Sequence, residues 1–287
     1  MPELPDIVLY AERLSARCAG QVLRSIRLGH PFVLRTVDPP LDSFHGARIV
    51  RVGRLGKRLV WQFDGDRYLV MHLMIAGRLK WRKAGASARA RDALVVLDFD
   101  DASLVMTEAS KKKRAQLHAV SGAQALALHD PGGIDVRKAT IANFKRALTQ
   151  QRQTLKRALT DPKTLDGIGN AYSHEILFEA GLSPLRRTDQ LNEAEWGTLL
   201  VAAQQVLTTW IDRLRQEVGE GFPTHVTAFR EGMHVHGRFK QPCTRCRTPI
   251  QRIVRGESEM NYCPNCQTQG RILADRALSP LFRGRKR

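Results

Sequence analysis

Leu59-Val60-Trp61-Gln62-Phe63-Asp64-Gly65-Asp66-Arg67-Tyr68-Leu69-Val70 decides the fold class of the first half of the chain. Leu59, Trp61 and Phe63 recur at every second residue, the period of a strand with one buried face. Asp64-Gly65 supplies a tight turn, and Tyr68-Leu69-Val70 returns as the partner strand. Strand-like patterning extends from Ile49 to about Val120. A second hairpin is expected where Leu94 to Phe99 and Leu104 to Met106 flank Asp100-Asp101. Several antiparallel strands with short turns predict a sandwich or barrel. Upstream, Ile7, Val8, Ala11, Leu14 and Cys18 lie at helical spacing and predict a helix over residues 4 to about 18, with Pro5 tolerated in its first turn.

The pattern changes at Asp130-Pro131-Gly132-Gly133, a breaker cluster. Beyond it Phe144 to Leu148 and Leu155 to Leu159 read as helical. Asn192 followed by Glu195 reads as a helix start, and Leu199, Leu200, Ala203, Val206, Leu207, Trp210 and Leu214 then share one face. An α+β protein follows. Its expected parts are an N-terminal antiparallel β-sandwich with flanking helices over residues 1–130, a helical domain over 131–236, and a small hairpin module with a basic tail over 237–287.

The 287 residues carry 46 Lys and Arg against 28 Asp and Glu, a formal charge of +18. A polyanion is the simplest partner for such an excess, and on charge alone RNA stands beside DNA. Neither a secretion signal nor an uncharged stretch of bilayer length is present in the sequence, so a cytosolic protein without a membrane partner is expected.

Four of the five cysteines form Cys243-x-x-Cys246 and Cys263-x-x-Cys266, sixteen residues apart. That spacing suits two knuckles at the base of a β-hairpin converging on one tetrahedral zinc ion. Four thiolates fill the coordination shell, so the zinc is structural, and its binding would fold a segment too small for a core of its own. Cys18 stands alone and reads as a packed thiol.

Pro2 follows the initiator Met, and a small residue there permits Met removal, leaving a secondary amine. An α-amino group titrates near pH ~8, against ~10.4 for lysine, so a useful fraction is nucleophilic at neutral pH. Such an amine forms an iminium with a sugar carbon, and Glu3 is placed to move the proton. Taken alone, the two residues read first as an ordinary helix opening.

Together these motifs resemble the formamidopyrimidine-DNA glycosylase and endonuclease VIII family of base-excision repair enzymes. The resemblance runs over essentially the whole chain. Met1-Pro2-Glu3-Leu4-Pro5 looks like the family's start, and Gly56-Lys57-Arg58 like the hairpin that carries its lysine. His72-Leu73-Met74-Ile75-Ala76-Gly77-Arg78-Leu79 is similar to the strand and turn that follow. Thr154-Leu155-Lys156 through Gly167-Ile168-Gly169-Asn170-Ala171-Tyr172-Ser173-His174-Glu175 resembles its helix–two-turns–helix, and the cysteines resemble its zinc finger.

The resemblance implies a glycosylase with AP lyase activity, acting as a monomer on damaged double-stranded DNA in the bacterial cytosol. Pro2 is then the nucleophile, Glu3 its acid–base partner and Lys57 a catalytic-site cation. Lys156, Gly169 and Asn170 are implied phosphate contacts, and Ile75 occupies the position of a void-filling side chain.

Two departures modify this expectation. Ser258 stands where the family's zinc hairpin has an arginine, with Arg255 nearest, so δ-elimination is expected to be weaker than β-elimination. The run Ser110-Lys111-Lys112-Lys113-Arg114 replaces a loop bearing an arginine and an aromatic wedge. Lys112, Lys113 and Arg114 are expected to meet DNA as cations. The same departures support the alternative of a non-catalytic protein that binds damaged DNA on this scaffold.

Overall fold

A computed structural model describes residues 1–89, 91–256 and 258–274, and of Arg255 and Ser258 the backbone alone. The basic tail Arg283 to Arg287 lies outside the described residues. The chain divides into two compact units, Met1–Pro131 with Trp210–Ala228, and Gly132–Thr209 with the chain from Phe229 onward.

The first unit opens with helix α1 (Leu4–Cys18), followed by strands β1 (Ser25–Leu28), β2 (Ile49–Leu55), β3 (Arg58–Phe63), β4 (Arg67–His72), β5 (Gly77–Lys83), β6 (Ala93–Asp98), β7 (Ala102–Glu108) and β8 (Gln116–Ser121), and a short helix α2 (Ala123–Ala127). The strands form two antiparallel four-stranded sheets, ordered β1-β6-β7-β5 and β2-β3-β4-β8. The alternation read at Leu59, Trp61 and Phe63 is realised, because all three are buried and pair with Met71, Leu69 and Arg67 across the β3–β4 hairpin. The turn is one residue longer than its dipeptide indicates: Asp64–Asp66 lie between the strands, and both Gly65 (φ 69°) and Asp66 (φ 54°) are left-handed. The second hairpin joins β6 to β7, with Leu97 opposite Leu104.

One apolar core unites the sheets, with Trp61, Leu69 and Leu117 from one and Leu79, Leu97 and Met106 from the other. Ile7, Ala11 and Leu14 of α1 belong to it, as the helical spacing predicts, and Tyr10 joins them. Cys18 is fully buried there, and burial pushes its thiol up to about 12. The stretch from Trp210 also joins this unit: Arg215 pairs with Glu12, and Phe222 lies 5.7 Å from Tyr10 and 6.0 Å from Trp81 between ring centres.

The second unit contains helices α3 (Ile141–Thr149), α4 (Leu155–Thr160) and α5 (Asn170–Glu179), most of the long α6 (Glu193–Val218), strands β9 (Gln251–Arg255) and β10 (Ser258–Tyr262), and α7 (Pro264–Thr268). Helix α6 starts where Asn192 and Glu195 predict. The Asn192 side-chain oxygen accepts from Glu195 N–H at 2.9 Å, and the Glu195 carboxylate accepts from Asn192 N–H at 3.0 Å. Strands β9 and β10 form the expected hairpin, with Gln251 opposite Tyr262. Among the described residues no helix is long and apolar enough to cross a membrane.

Candidate functional site

In the first unit, the chain enters α1 through Pro2 and Glu3, both buried, with Glu3 as N-cap. Glu3 N–H donates to the Asp6 carboxylate at 2.9 Å, and the Glu3 carboxylate accepts from Asp6 N–H. This reciprocal pair satisfies helix-end donors and fixes the backbone that carries Pro2. The α-amino group of Met1 is held below its ordinary value of 8.0, chiefly by burial; Glu3 and Asp6 oppose the shift, and the charges of Arg78 and Lys57 reinforce it. The charges of Glu3, Lys57 and Arg78 thus all act on the amino group of Met1, the residue next to Pro2.

Arg78 is fixed by backbone carbonyls. Its Nε donates to Val226 C=O at 2.6 Å and a terminal nitrogen donates to Gly77 C=O at 2.7 Å. Lys57 is half-buried in the turn between β2 and β3. The turn after β4 exposes Ile75 by half, while Met74, in a left-handed conformation, lays its sulfur against the His72 ring. Gly77 is required here, since a Cβ would stand 2.3 Å from Leu73 C=O.

The basic run hangs from Glu108, a buried carboxylate at the end of β7. It accepts from Arg114 N–H at 2.8 Å and Ala115 N–H at 3.0 Å. Lys112 and Arg114 stay exposed, together with Lys111, whereas the Lys113 ammonium turns back onto Glu108 C=O.

In the second unit Lys156 is committed internally. Its ammonium donates to Asn170 Oδ1 at 2.7 Å and Ser173 Oγ at 2.6 Å, while Asn170 Nδ2 donates to Glu259 C=O at 3.1 Å. Asn170 is not an N-cap: Gly169 holds that position and Asn170 is the first helical residue of α5. Of the two glycines before it, only Gly167 (φ 78°) needs to be glycine on conformational grounds. Gly169, buried at φ −129°, lies where any residue can.

The Sγ atoms of Cys243, Cys246, Cys263 and Cys266 all lie within 4.8 Å of one another. Tetrahedral Zn–S bonds of about 2.3 Å require sulfurs about 3.8 Å apart. The observed 3.9 Å for Cys243–Cys266 and 3.4 Å for Cys246–Cys263 match that scale. Backbone N–H groups of Arg245 and Cys266 donate to Cys243 and Cys263 sulfurs at 3.4 Å, as knuckles do for thiolates. The four cysteines form a site for one structural zinc ion.

Three family models cover the chain in order: the formamidopyrimidine-DNA glycosylase N-terminal domain over residues 1–130, the helix–two-turns–helix domain of the same enzymes over 132–219, and the zinc finger found in these proteins and isoleucyl-tRNA synthetases over 240–269. The chain is 31% identical to formamidopyrimidine-DNA glycosylase of Heliobacterium modesticaldum, over 93% of this chain and 100% of that one. The chain belongs to the formamidopyrimidine-DNA glycosylase family. The Thiobacillus denitrificans member is also 31% identical, with 93% and 100% covered. Lactococcus lactis Fpg, in a crystal structure with DNA containing an abasic site, superposes with a TM-score of 0.81 at 23% identity, covering 93% of this chain and 99% of that one.

Against this family background, three structural residues escaped the sequence reading. Glu175, buried in α5, accepts from the backbone N–H groups of His234, Val235 and His236 at 2.7, 3.0 and 2.9 Å, and so ties the chain that leads into the zinc module. Glu108 and Arg78 are the others. Arg78 and Glu175 lie inside quoted motifs, but only the fold reveals which atoms they serve. The backbones of Arg255 and Ser258 pair at the β9–β10 turn, while their side chains lie outside the described residues.

Proposed function

We propose that this protein is a DNA-repair glycosylase with AP lyase activity, using the amine of Pro2 after removal of Met1. The observation that carries the reading is the buried chain start, where Pro2 and Glu3 head α1 on a backbone fixed by the Glu3–Asp6 pair, and where the charges of Lys57 and Arg78 reach the α-amino group of the adjacent Met1. The Pro2 nitrogen bonds to C1′ of the damaged nucleotide while the N-glycosidic bond breaks, and the departing base takes up a proton. The nitrogen then gives up its proton, and the C1′–O4′ bond breaks as O4′ takes up a proton, opening the sugar ring and leaving an iminium. Loss of a C2′ proton expels the 3′ phosphate, which is β-elimination, and water frees Pro2. Glu3 donates and accepts these protons. Lys57 and Arg78 stabilise phosphate charge.

The partner is damaged double-stranded DNA, from which the nucleotide must be extruded to reach C1′. Exposed Lys112 and Arg114 supply phosphate or groove contacts, with Ile75 entering the stack. At α5 the contact falls to the backbone of Gly169 and Asn170, with Lys156 adding charge through its bond to Asn170. Residues 1–130, 131–236 and 237–287 act as catalytic, helix–two-turns–helix and zinc-hairpin parts of a cytosolic monomer that needs no membrane. Zinc takes no part in the chemistry and holds the hairpin on which Arg255 and Ser258 lie.

Ser258 favours a second reading, a damage-binding protein with little catalysis. Incubation with duplexes carrying ring-opened purine, oxidised pyrimidine or 8-oxoguanine separates them. Released base supports the glycosylase, with 8-oxoguanine opposite cytosine expected to be the poorest substrate. Tight binding of abasic DNA without any base release supports the alternative.

A further inference from the structure

We propose that Phe32 is the aromatic side chain of the first unit that stacks on an unpaired base where a nucleotide has left the duplex; this rests on the DNA reading above. The basic run that replaces the family's wedge loop contains no aromatic, yet Phe32 is 73% exposed, the one exposed Phe, Tyr or Trp among the described residues of its unit. A single exposed apolar side chain is ordinary. Two features set this one apart.

The first is rigidity. Phe32 sits in a 3₁₀ turn (Pro31–Val33) whose next residue, Val33, is buried in the core. Gly29 and His30 N–H groups donate to Leu94 C=O at 2.9 and 3.3 Å, Arg35 N–H donates to Leu117 C=O at 2.9 Å, and Thr36 Oγ1 accepts from Ala119 N–H at 2.8 Å. The ring is thus held out on a pinned loop, with the His30 ring 5.7 Å away between centres. Little ordering entropy remains to be lost on stacking.

The second is position. The loop of Phe32 is anchored at the start of β6 and the start of β8, and the basic run is anchored at the same two places: Glu108 N–H donates to Asp92 C=O at 2.9 Å, and Ala115 directly precedes β8. The two loops thus share their anchoring strands, with exposed Lys111, Lys112 and Arg114 on one and exposed Arg35 beside Phe32 on the other. Cations that hold phosphates beside a fixed aromatic plane are the means by which unpaired bases are gripped without sequence preference.

Affinities of the full-length wild type, Phe32→Ala and Phe32→Tyr are compared on a duplex with a tetrahydrofuran abasic analogue and on the same duplex intact. Phe32→Ala is expected to lose about tenfold on the abasic duplex, to bind the intact duplex unchanged and to melt like wild type, while Phe32→Tyr keeps the preference. Phe32→Trp gives a second readout, its emission quenched by the abasic duplex more than by the intact one. Equal losses on both duplexes, or none with Phe32→Ala, would overturn the proposal. A wild type that binds neither duplex overturns the DNA reading itself, and the proposal with it.

Discussion

Glu175 ties the chain from His234 to His236 to helix α5. Three backbone donors share its carboxylate in a buried setting, and hydrogen bonds to a charged group contribute more than neutral ones. Glu175→Ala should destabilise this unit by about 3 kcal/mol, read as a lowered urea midpoint, and Glu175→Gln by less. An unchanged midpoint for Glu175→Ala would contradict the anchoring role. Ser258 bears on products rather than stability. A denaturing gel of cleaved DNA should give mainly β-elimination ends, and Ser258→Arg should raise the δ-elimination share. Predominant phosphate at both ends with wild type would point to another residue, Arg255 first.

At the scale of elements, β4 and β8 place His72 and His118 together. Burial, then nearby charges led by Arg58 for His72 and by His129 for His118, push each down to about 4 from 6.5. The unfolded chain takes up these protons near pH 6.5 and the folded chain only near 4, so stability falls as pH is lowered through that window. His118→Asn should lessen the fall of the melting temperature between those limits, His72 keeping its share, and a curve parallel to wild type would contradict the account. In the zinc hairpin, Cys263→Ser should lose bound zinc and DNA affinity together. Wild type without zinc, or a variant with full affinity, would contradict that.

Legibility in the sequence also varied by element. Strands β3 and β4 were plain because one face is buried and the period is two. The cysteine pairs were plain because zinc dictates their spacing. Helix α5 was legible only by motif, since every residue from Ala171 to Phe178 is buried and a helix buried all round has no polar stripe to betray its facing. The inward turn of Lys156 was hidden for a related reason: its partners Asn170 and Ser173 come from another helix, and sequence spacing says nothing of which way a lysine bends.

For the whole molecule, a formal charge of +18 makes DNA affinity a matter of counterion release. Log affinity should fall with log salt by about 0.9 for each phosphate contacted, and a flat response from low to moderate salt would contradict the basic interface. The central claim is that the amine at Pro2 attacks the sugar. Borohydride trapping on abasic DNA tests it most directly, comparing wild type, a form with residues added before Pro2, and Lys57→Ala. The account predicts a stable cross-link with wild type and with Lys57→Ala, and none with the extended form. A cross-link at wild-type rate from the extended form, abolished by Lys57→Ala, would contradict it and make Lys57 the nucleophile.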